Sequence, residues 1–239
     1  GGSIFITAGT LTGIGVLDTQ ARNVGAWSGG GGGRIAVILT NGATFGSITM
    51  RANGGTGGAG GGRYYHGAAG TIYRQTMGRA LGQGTLIVDN NPNPISMYAV
   101  TEPAEAMNLN ALQALILTNG GMFAVITNTM LDFATANIGG GGELKIRATN
   151  VVSFPPSFVV TNTYRLCLDT DVSAAGNWTI MTNAVLTHSP NFYGGPNPER
   201  RINLVIKGDL TIAPGGAIDV TDRGYAGSSG PGAGTGDSV

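Results

Sequence analysis

Glycine-rich tracts separate the apolar segments of this chain, and they constrain its fold more than any other feature. The tracts cover residues 29–33, 54–62 and 224–236, and glycine supplies 43 of the 239 residues. Because ordering glycine costs more entropy than ordering any other residue, such tracts either pack side by side or form flexible surface loops. The second tract is three Gly-Gly-X triplets, a period that suits an extended helix of the polyproline II type. Both alternatives stay open from the sequence.

A short apolar unit recurs beside these tracts. Residues 13–18, 46–51 and 216–221 each place an apolar-x-apolar core after a glycine, and a tract follows each of them. Another strand follows the first two tracts, and the chain begins with a strand of the same type at residues 2–7. This complementarity predicts copies joined in tandem or stacked head to tail. The residues predicted to mediate self-association are Gly2, Ser3, Ile4, Phe5, Ile6, Gly224, Gly227, Gly230, Gly232 and Gly234.

The rest of the chain shows apolar residues alternating with polar ones, which is typical of β-strands. Asn-Gly, Thr-Asn and Gly-Asp turn signals separate these segments, whereas the helical pattern is weak and allows one short helix within residues 102–115. The sequence therefore predicts an all-β fold. The repeating unit favours a parallel β-solenoid, open at both ends, with glycine-rich loops or polyglycine-type tracts and coils about 4.8 Å apart. The alternating segments are residues 84–88, 112–117, 122–126, 143–147, 158–160, 164–168, 178–181, 185–186 and 202–206.

Proline divides the chain into three regions. Eight of the ten prolines lie between residues 92 and 198, where glycine also becomes less frequent. We therefore expect glycine-rich solenoid coils over residues 1–89 and a proline-containing β module with longer loops over residues 90–199. Residues 200–239 are expected to form a further glycine-rich coil that continues into the next copy.

Composition excludes several classes of function. Thirteen basic residues balance thirteen acidic ones without a basic patch, so no nucleic-acid partner is expected. No run of about 18 apolar residues occurs, which predicts no membrane-spanning segment. A hydrophobic content of 41% argues against disorder. The single cysteine, Cys167, allows no intrachain disulfide and is expected to be a small buried apolar residue.

Two pairs of aspartates are the only close carboxylate pairs in plausible turns. Asp169 with Asp171, and Asp219 with Asp222, lie close together in segments with turn character. Clustered oxygens can bind calcium, and paired acids can cleave polysaccharides. Because aspartate is also a common turn residue, the structural interpretation is preferred, and we expect no cofactor, with calcium as the alternative.

Residues 3–13, 29–37 and 208–220 resemble the glycine-rich repeats of very large bacterial surface and filament proteins, such as adhesins and autotransporter passengers with β-helical repeats. The resemblance covers mainly residues 1–75 and 200–239, and it transfers no catalytic residue. It implies a structural repeat of an extracellular fibre, sheath or adhesin stalk, and not an enzyme. The expected partner is another copy of the chain, with a polysaccharide or a cell surface as the further candidate partner. The alternatives are a β-helical module that binds or cleaves polysaccharide, and a segment of a phage fibre.

Overall fold

The computed structural model describes residues 1–22, 28–57, 59–60, 63–64, 66–90, 99–191 and 200–225. Within these ranges the regular structure is β-strand, apart from one 3-10 turn at Leu109–Ala111 that the side chain of Asn108 caps. This turn is the only helical element in the described part of residues 102–115, where the sequence allowed a short helix. The strands are β1 (Ser3–Ala8), β2 (Val16–Asp18), β3 (Arg34–Leu39), β4 (Thr49–Arg51), β5 (Ala59–Gly60), β6 (Arg63–Tyr64), β7 (Thr71–Gln75), β8 (Thr85–Asp89), β9 (Met107–Asn108), β10 (Ala114–Thr118), β11 (Met122–Val125), β12 (Thr129–Asp132), β13 (Ile138–Gly139), β14 (Glu143–Ile146), β15 (Val152–Ser153), β16 (Ser157–Val160), β17 (Arg165–Leu168), β18 (Val172–Ala174), β19 (Asn177–Ile180), β20 (Val185–Thr187), β21 (Leu204–Ile206), β22 (Leu210–Ile212) and β23 (Ala217–Ile218).

Most strands pair in parallel. The largest sheet has the order β1-β3-β7-β8-β10-β13, and a second has the order β11-β14-β17-β20-β23. Smaller parallel groups are β16-β19-β22, β15-β12-β9, β18-β21 and β2-β4, whereas β5 and β6 form an antiparallel pair. The prediction of an all-β fold is confirmed, and the sheets are mostly parallel. Within the described residues, no helix has the length and hydropathy needed to cross a membrane.

The predicted repeat pairs with itself in its first two copies only. Strand β2 pairs with β4 so that Val16 lies opposite Thr49 and Leu17 opposite Met50, which is the alignment of residues 13–18 with 46–51. The third copy contributes β23 to the second sheet, where it pairs with β20 instead. Sequence similarity among the three copies therefore predicts that each forms a strand, but it does not predict which strands pair.

The parallel order of the largest sheet is interrupted between β7 and β8, which pair antiparallel. Two apolar cores meet at this pair. Ile72 and Ile87 contact a smaller cluster, called here the N-terminal core, while Tyr73 and Leu86 contact a larger one, called the main core. Because successive side chains of a strand point to opposite faces, the sheet carries one core on each face at this position. The main core extends through the proline-containing region and includes partly buried residues of β21.

The described glycines of the first two tracts pack backbone against backbone. Gly55 of the second tract donates its N–H to the carbonyl of Gly30 in the first at 2.8 Å. The segment of residues 67–70 joins the same packing, since Gly32 donates to the Ala68 carbonyl at 2.9 Å and Gly70 donates to the Ala52 carbonyl at 2.7 Å. A Cβ atom added to Gly32 would lie 1.8 Å from the Ala52 oxygen. Of the two alternatives left open by the sequence, the described glycines therefore follow the packed one. A side chain is excluded at Gly32 by proximity and not by backbone angle.

The closely packed backbone of residues 29–33, 52–55 and 67–70 is called here the glycine layer. Buried polar side chains attach it to the next strands. Asn90 is fully buried, and its Oδ1 accepts a hydrogen bond from the Gly54 N–H at 2.9 Å while its Nδ2 donates to the Gly67 carbonyl at 3.3 Å. Thr101 donates from Oγ1 to the Ala69 carbonyl at 2.6 Å. Such bonds satisfy backbone groups that glycine cannot shield with a side chain of its own.

Candidate functional site

The apolar rows of the main core continue into β22, where they lose their cover. Leu210 lies opposite Trp178, and Ile212 lies opposite Ile180. Trp178 and Ile180 are 1% and 0% exposed, whereas Leu210 and Ile212 are 44% and 47% exposed. Because β22 is last in its sheet, the rows that fill the core end there as an exposed apolar surface.

Strand β23 shows the same loss of cover. Ile218 lies opposite the fully buried Leu186, yet it is 40% exposed, and Val220 beyond it is 46% exposed. Strand β21 is also last in its sheet. We call the surface formed by β21, β22 and β23 the C-terminal edge. Gly224 follows this edge and is exposed, and the predicted self-association residues Gly227, Gly230, Gly232 and Gly234 lie outside the described residues.

Strand β1 is the terminal strand at one end of the largest sheet, to which none of β21, β22 and β23 belongs. Ile4 lies opposite Ile35 and Ile6 lies opposite Val37. These inward residues of β1 are only half-buried, whereas their partners on β3 are 1% and 0% exposed. Phe5 points outward and is 71% exposed. We call the surface formed by β1 and β2 the N-terminal edge; Gly2 and Ser3 at its start are exposed.

The two edges share one pattern. In β21, Leu204 and Ile206 are half-buried, and Val205 between them is 54% exposed. This is the alternation of β1, in which two half-buried isoleucines flank an exposed phenylalanine. A β1 strand placed against β21 would therefore set apolar side chains against apolar side chains on both faces.

A cluster of ionic and polar side chains lies on one face of the five-stranded sheet. Lys145 is fully buried, and its Nζ lies 2.5 Å from Glu143 Oε1, 2.8 Å from Ser189 Oγ and 3.6 Å from Cys167 Sγ. Ser189 donates to Asp169 from its N–H at 2.7 Å and from its Oγ at 2.8 Å. These five residues, called here the ionic cluster, connect β14 with β17 and with the segment after β20.

Arginines surround the ionic cluster. The Nε of Arg147 lies 3.6 Å from Asp169 Oδ2, while Arg165 Nε and Arg223 Nη2 lie 3.8 Å and 3.9 Å from Glu143 Oε2. The side chains of Glu143 and Asp169 are 2% and 3% exposed. A substrate cannot reach groups so enclosed, and a buried charge is tolerated only when it is paired. The arrangement therefore suits a cross-strand clamp and not a reaction centre.

Burial and neighbouring charges shift the pKa values of two members of the cluster. Burial alone would raise the pKa of Asp169, but the Lys145 ammonium and the two hydrogen bonds from Ser189 outweigh it, and the pKa is lowered. Burial raises the pKa of the Cys167 thiol to about 12, against the opposing effect of Lys145. The thiol is therefore protonated at neutral pH, as suits the expected role of a buried apolar residue.

The four aspartates proposed for calcium occupy different settings. Asp169 is already bound within the ionic cluster, Asp171 and Asp222 are exposed, and Asp222 lies in a turn at a φ of 57°. Asp219 accepts a hydrogen bond from the Thr221 N–H at 2.9 Å, and this bond holds its pKa below the usual range. No three His, Cys, Asp or Glu side chains of the described residues form a group that could hold a metal. The calcium hypothesis gains no support from this placement and stays a prediction.

Sequence reasoning missed the buried lysine and recognised only part of the edges. Lys145 stands in an alternating segment as a residue expected to face water. The alternation places Glu143 on the same face of β14, but nothing in the nearby sequence indicates Ser189 and Asp169, which complete the ionic cluster. Leu210 and Ile212 fall within residues 208–220, which resemble β-helical repeats, but their exposure depends on β22 being last in its sheet, which local sequence does not reveal.

Fold and sites together define an all-β protein of mostly parallel sheets with two exposed apolar edges. No family model, no curated protein and no solved structure matches this chain. Its function is therefore argued from its own geometry.

Proposed function

We propose that this chain is a structural repeat of an extracellular fibre, sheath or adhesin stalk, and that copies stack head to tail. The observation that carries the proposal is the pair of exposed apolar edges. The C-terminal edge of one copy would receive the N-terminal edge of the next, whether the copies are separate or joined covalently.

The parallel registers support a β-solenoid as the underlying architecture. Met122 lies opposite Glu143, and Glu143 lies opposite Arg165, so three successive strands stack in register. The sheet β16-β19-β22 stacks in the same manner. The antiparallel pair β7–β8 interrupts this parallel order. The proposed solenoid therefore consists of two stacks of parallel strands, which share the largest sheet.

Stacking would remove an unfavourable exposure at both edges. A terminal strand presents unpaired N–H and C=O groups and is a template for another chain. The strands of the C-terminal edge also carry exposed apolar residues. Burying them would stabilise the assembly by about 25 cal/mol per Å² of apolar surface. Since a parallel ladder has the same spacing within a chain and between chains, β1 can continue it without a change in geometry.

A structural role is preferred over catalysis because the one dense group of ionisable side chains in the described residues, the ionic cluster, is closed to solvent. An extracellular location is supported by the resemblance of residues 1–75 and 200–239 to bacterial surface repeats, whereas a single cysteine fits an extracellular and a cytosolic protein equally. A phage fibre segment would use the same two edges, and a polysaccharide-cleaving module would need an accessible pair of acids.

The test is to place charge on the C-terminal edge. In the double variant Leu210→Lys and Ile212→Lys, stacking would bury two unpaired ammonium groups, which costs several kcal/mol each. We expect this variant to stay monomeric at concentrations where the wild-type protein forms head-to-tail assemblies. Light scattering and electron microscopy would detect these assemblies. Leu81→Lys is the matched control, since Leu81 is 81% exposed and belongs to neither edge.

Deleting residues 1–7 from the N-terminal edge should block assembly as well. The proposal is wrong if the wild-type chain stays monomeric at high concentration. It is equally wrong if both edge variants assemble as well as the Leu81→Lys control.

A further inference from the structure

An arginine occupies an apolar position in the largest sheet. On β3, Ile35 and Val37 point into the N-terminal core and are 1% and 0% exposed. On β7, Ile72 lies opposite Ile35, and Arg74 lies opposite Val37. The alternation that places isoleucine and valine in the core therefore directs Arg74 toward the same face. A guanidinium in such a position is costly unless an acceptor meets it.

The described residues do not supply that acceptor. The Arg74 guanidinium lies over the ring of Phe45, with its carbon 5.4 Å from the ring centroid. Its Nε atom is buried and has no hydrogen-bond partner within the described part of the chain. Among the same residues, no carboxylate forms an ion pair with Arg74 or with the nearby Arg79.

Both arginines line a cavity of about 400 Å³. The cavity lies beside the antiparallel pair β7–β8, and the loop that connects these strands contributes Thr76 and Arg79. In the part of the chain that the structure describes, no aspartate or glutamate lines it. Besides the two guanidinium groups, its polar lining consists mainly of the side chains of Thr44, Thr76, Thr85 and Gln113.

We propose that this cavity binds an acidic sugar of a polysaccharide, with the carboxylate or sulfate group of the sugar held by Arg74 and Arg79. A guanidinium offers a planar fork of donors that matches an oxyanion, and its net contribution is largest where water is excluded. The threonine hydroxyls and the Gln113 amide can exchange hydrogen bonds with sugar hydroxyls. The volume lies in the range of small-molecule sites, roughly 300–1,000 Å³, so the anionic group would occupy only part of it.

This site is independent of head-to-tail stacking. It needs residues of one copy only and none of the edge strands β1, β2, β21, β22 or β23. A monomeric edge variant should therefore bind the sugar as well as the wild-type chain does.

The test is calorimetric titration of the full chain with four probes: an oligogalacturonate trisaccharide, a sulfated disaccharide, neutral maltotriose and sodium sulfate. We expect binding of the acidic sugars and none of maltotriose. Arg74→Gln should weaken binding by about tenfold or more, because a charged hydrogen bond is lost, and Arg79→Gln should weaken it to a smaller extent. Arg34→Gln is the matched control, since Arg34 is exposed and does not line the cavity.

Arg74→Lys keeps the charge but not the planar fork, so its affinity should fall between those of the wild type and Arg74→Gln. If Arg74→Gln fails to fold, as judged by circular dichroism, the exposed Arg79 decides by the same comparison. The proposal is overturned if the wild-type chain binds no acidic sugar, if maltotriose binds as tightly, or if the cavity variants bind like Arg34→Gln. Sodium sulfate binding as tightly as the sugars would also overturn it, because the sugar would then contribute nothing.

Discussion

Gly32 is the position where the packing of the glycine layer can be measured most directly. A Cβ atom at this residue would lie 1.8 Å from the Ala52 oxygen and 2.5 Å from the Gly70 nitrogen. Both are backbone atoms, which cannot rotate away as a side chain does. To bring the contact with Ala52 from 1.8 Å to the 3.0 Å that real Cβ atoms keep, the neighbouring segment must retreat by about 1.2 Å.

The cost follows from what this retreat breaks. Overpacking costs about 1–3 kcal/mol, and the bonds from Gly32 to Ala68 and from Gly70 to Ala52 add about 1 kcal/mol each when they are lost. We therefore expect Gly32→Ala to lower the free energy of unfolding by about 3 kcal/mol or more. For a chain of this length the corresponding fall in Tm is roughly 6–12 °C.

Gly31 is the matched control, because it adjoins Gly32 and a Cβ there would meet its nearest atom, the Ala68 oxygen, only at 3.9 Å. Neither glycine has a left-handed φ, so alanine is compatible with the backbone at both positions. Gly31→Ala should leave stability unchanged or raise it by up to about 1 kcal/mol, because the unfolded chain loses freedom. The assay is urea unfolding of both variants with a common slope. Equal midpoints for the two variants would refute the idea that the tracts are packed by close backbone contact.

Two further predictions concern the ionic cluster. Cys167 is fully buried, and its thiol has a pKa raised to about 12, so it should react with a thiol reagent at pH 7 only as fast as the chain unfolds; rapid labelling of the native chain would contradict its enclosure. The pKa of Asp169 is lowered on folding, so its contribution to stability is complete above the usual aspartate pKa of 3.8 and is lost as the pH falls through the lower folded value. Unfolding free energies measured between pH 7 and pH 2 should therefore fall less steeply for Asp169→Asn than for the wild type, and parallel curves would show that Asp169 is not linked to folding.

The sequence was sufficient to predict the strands because alternation is a local property. The segments over residues 84–88, 122–126 and 143–147 became β8, β11 and β14 with little change in their bounds. Strand partners were harder to predict, since pairing depends on where each chain segment returns. The reversal at β7–β8 had no local signal, and it decides that two cores form in place of one. The domain boundaries near residues 89 and 199 stay predictions.

A site was easier to predict when the residues that form it lie close together in the sequence. Self-association through residues 2–6 followed from a repeat pattern, and the exposure of β1 agrees with it. The proposed sugar-binding arginine could have been noticed in the sequence, because Arg74 interrupts an apolar alternation that Ile72 begins. The burial of Lys145 was not predictable from local sequence alone. Its nearest carboxylate, Glu143, is two residues away, but Cys167 and Ser189, which it also contacts, lie 22 and 44 residues away in the chain.

The glycine layer also bears on how the stability of this protein depends on temperature. Exposing apolar surface raises the heat capacity of unfolding, whereas exposing peptide groups lowers it. The contacts of Gly32, Gly67 and Gly70 with neighbouring backbone are almost entirely of the second kind. The part of the chain held by glycine should therefore have a flatter stability curve than an apolar core of equal size. A fibre built from such repeats would keep its cohesion over a wide range of temperature, including the cold range in which hydrophobic cores weaken.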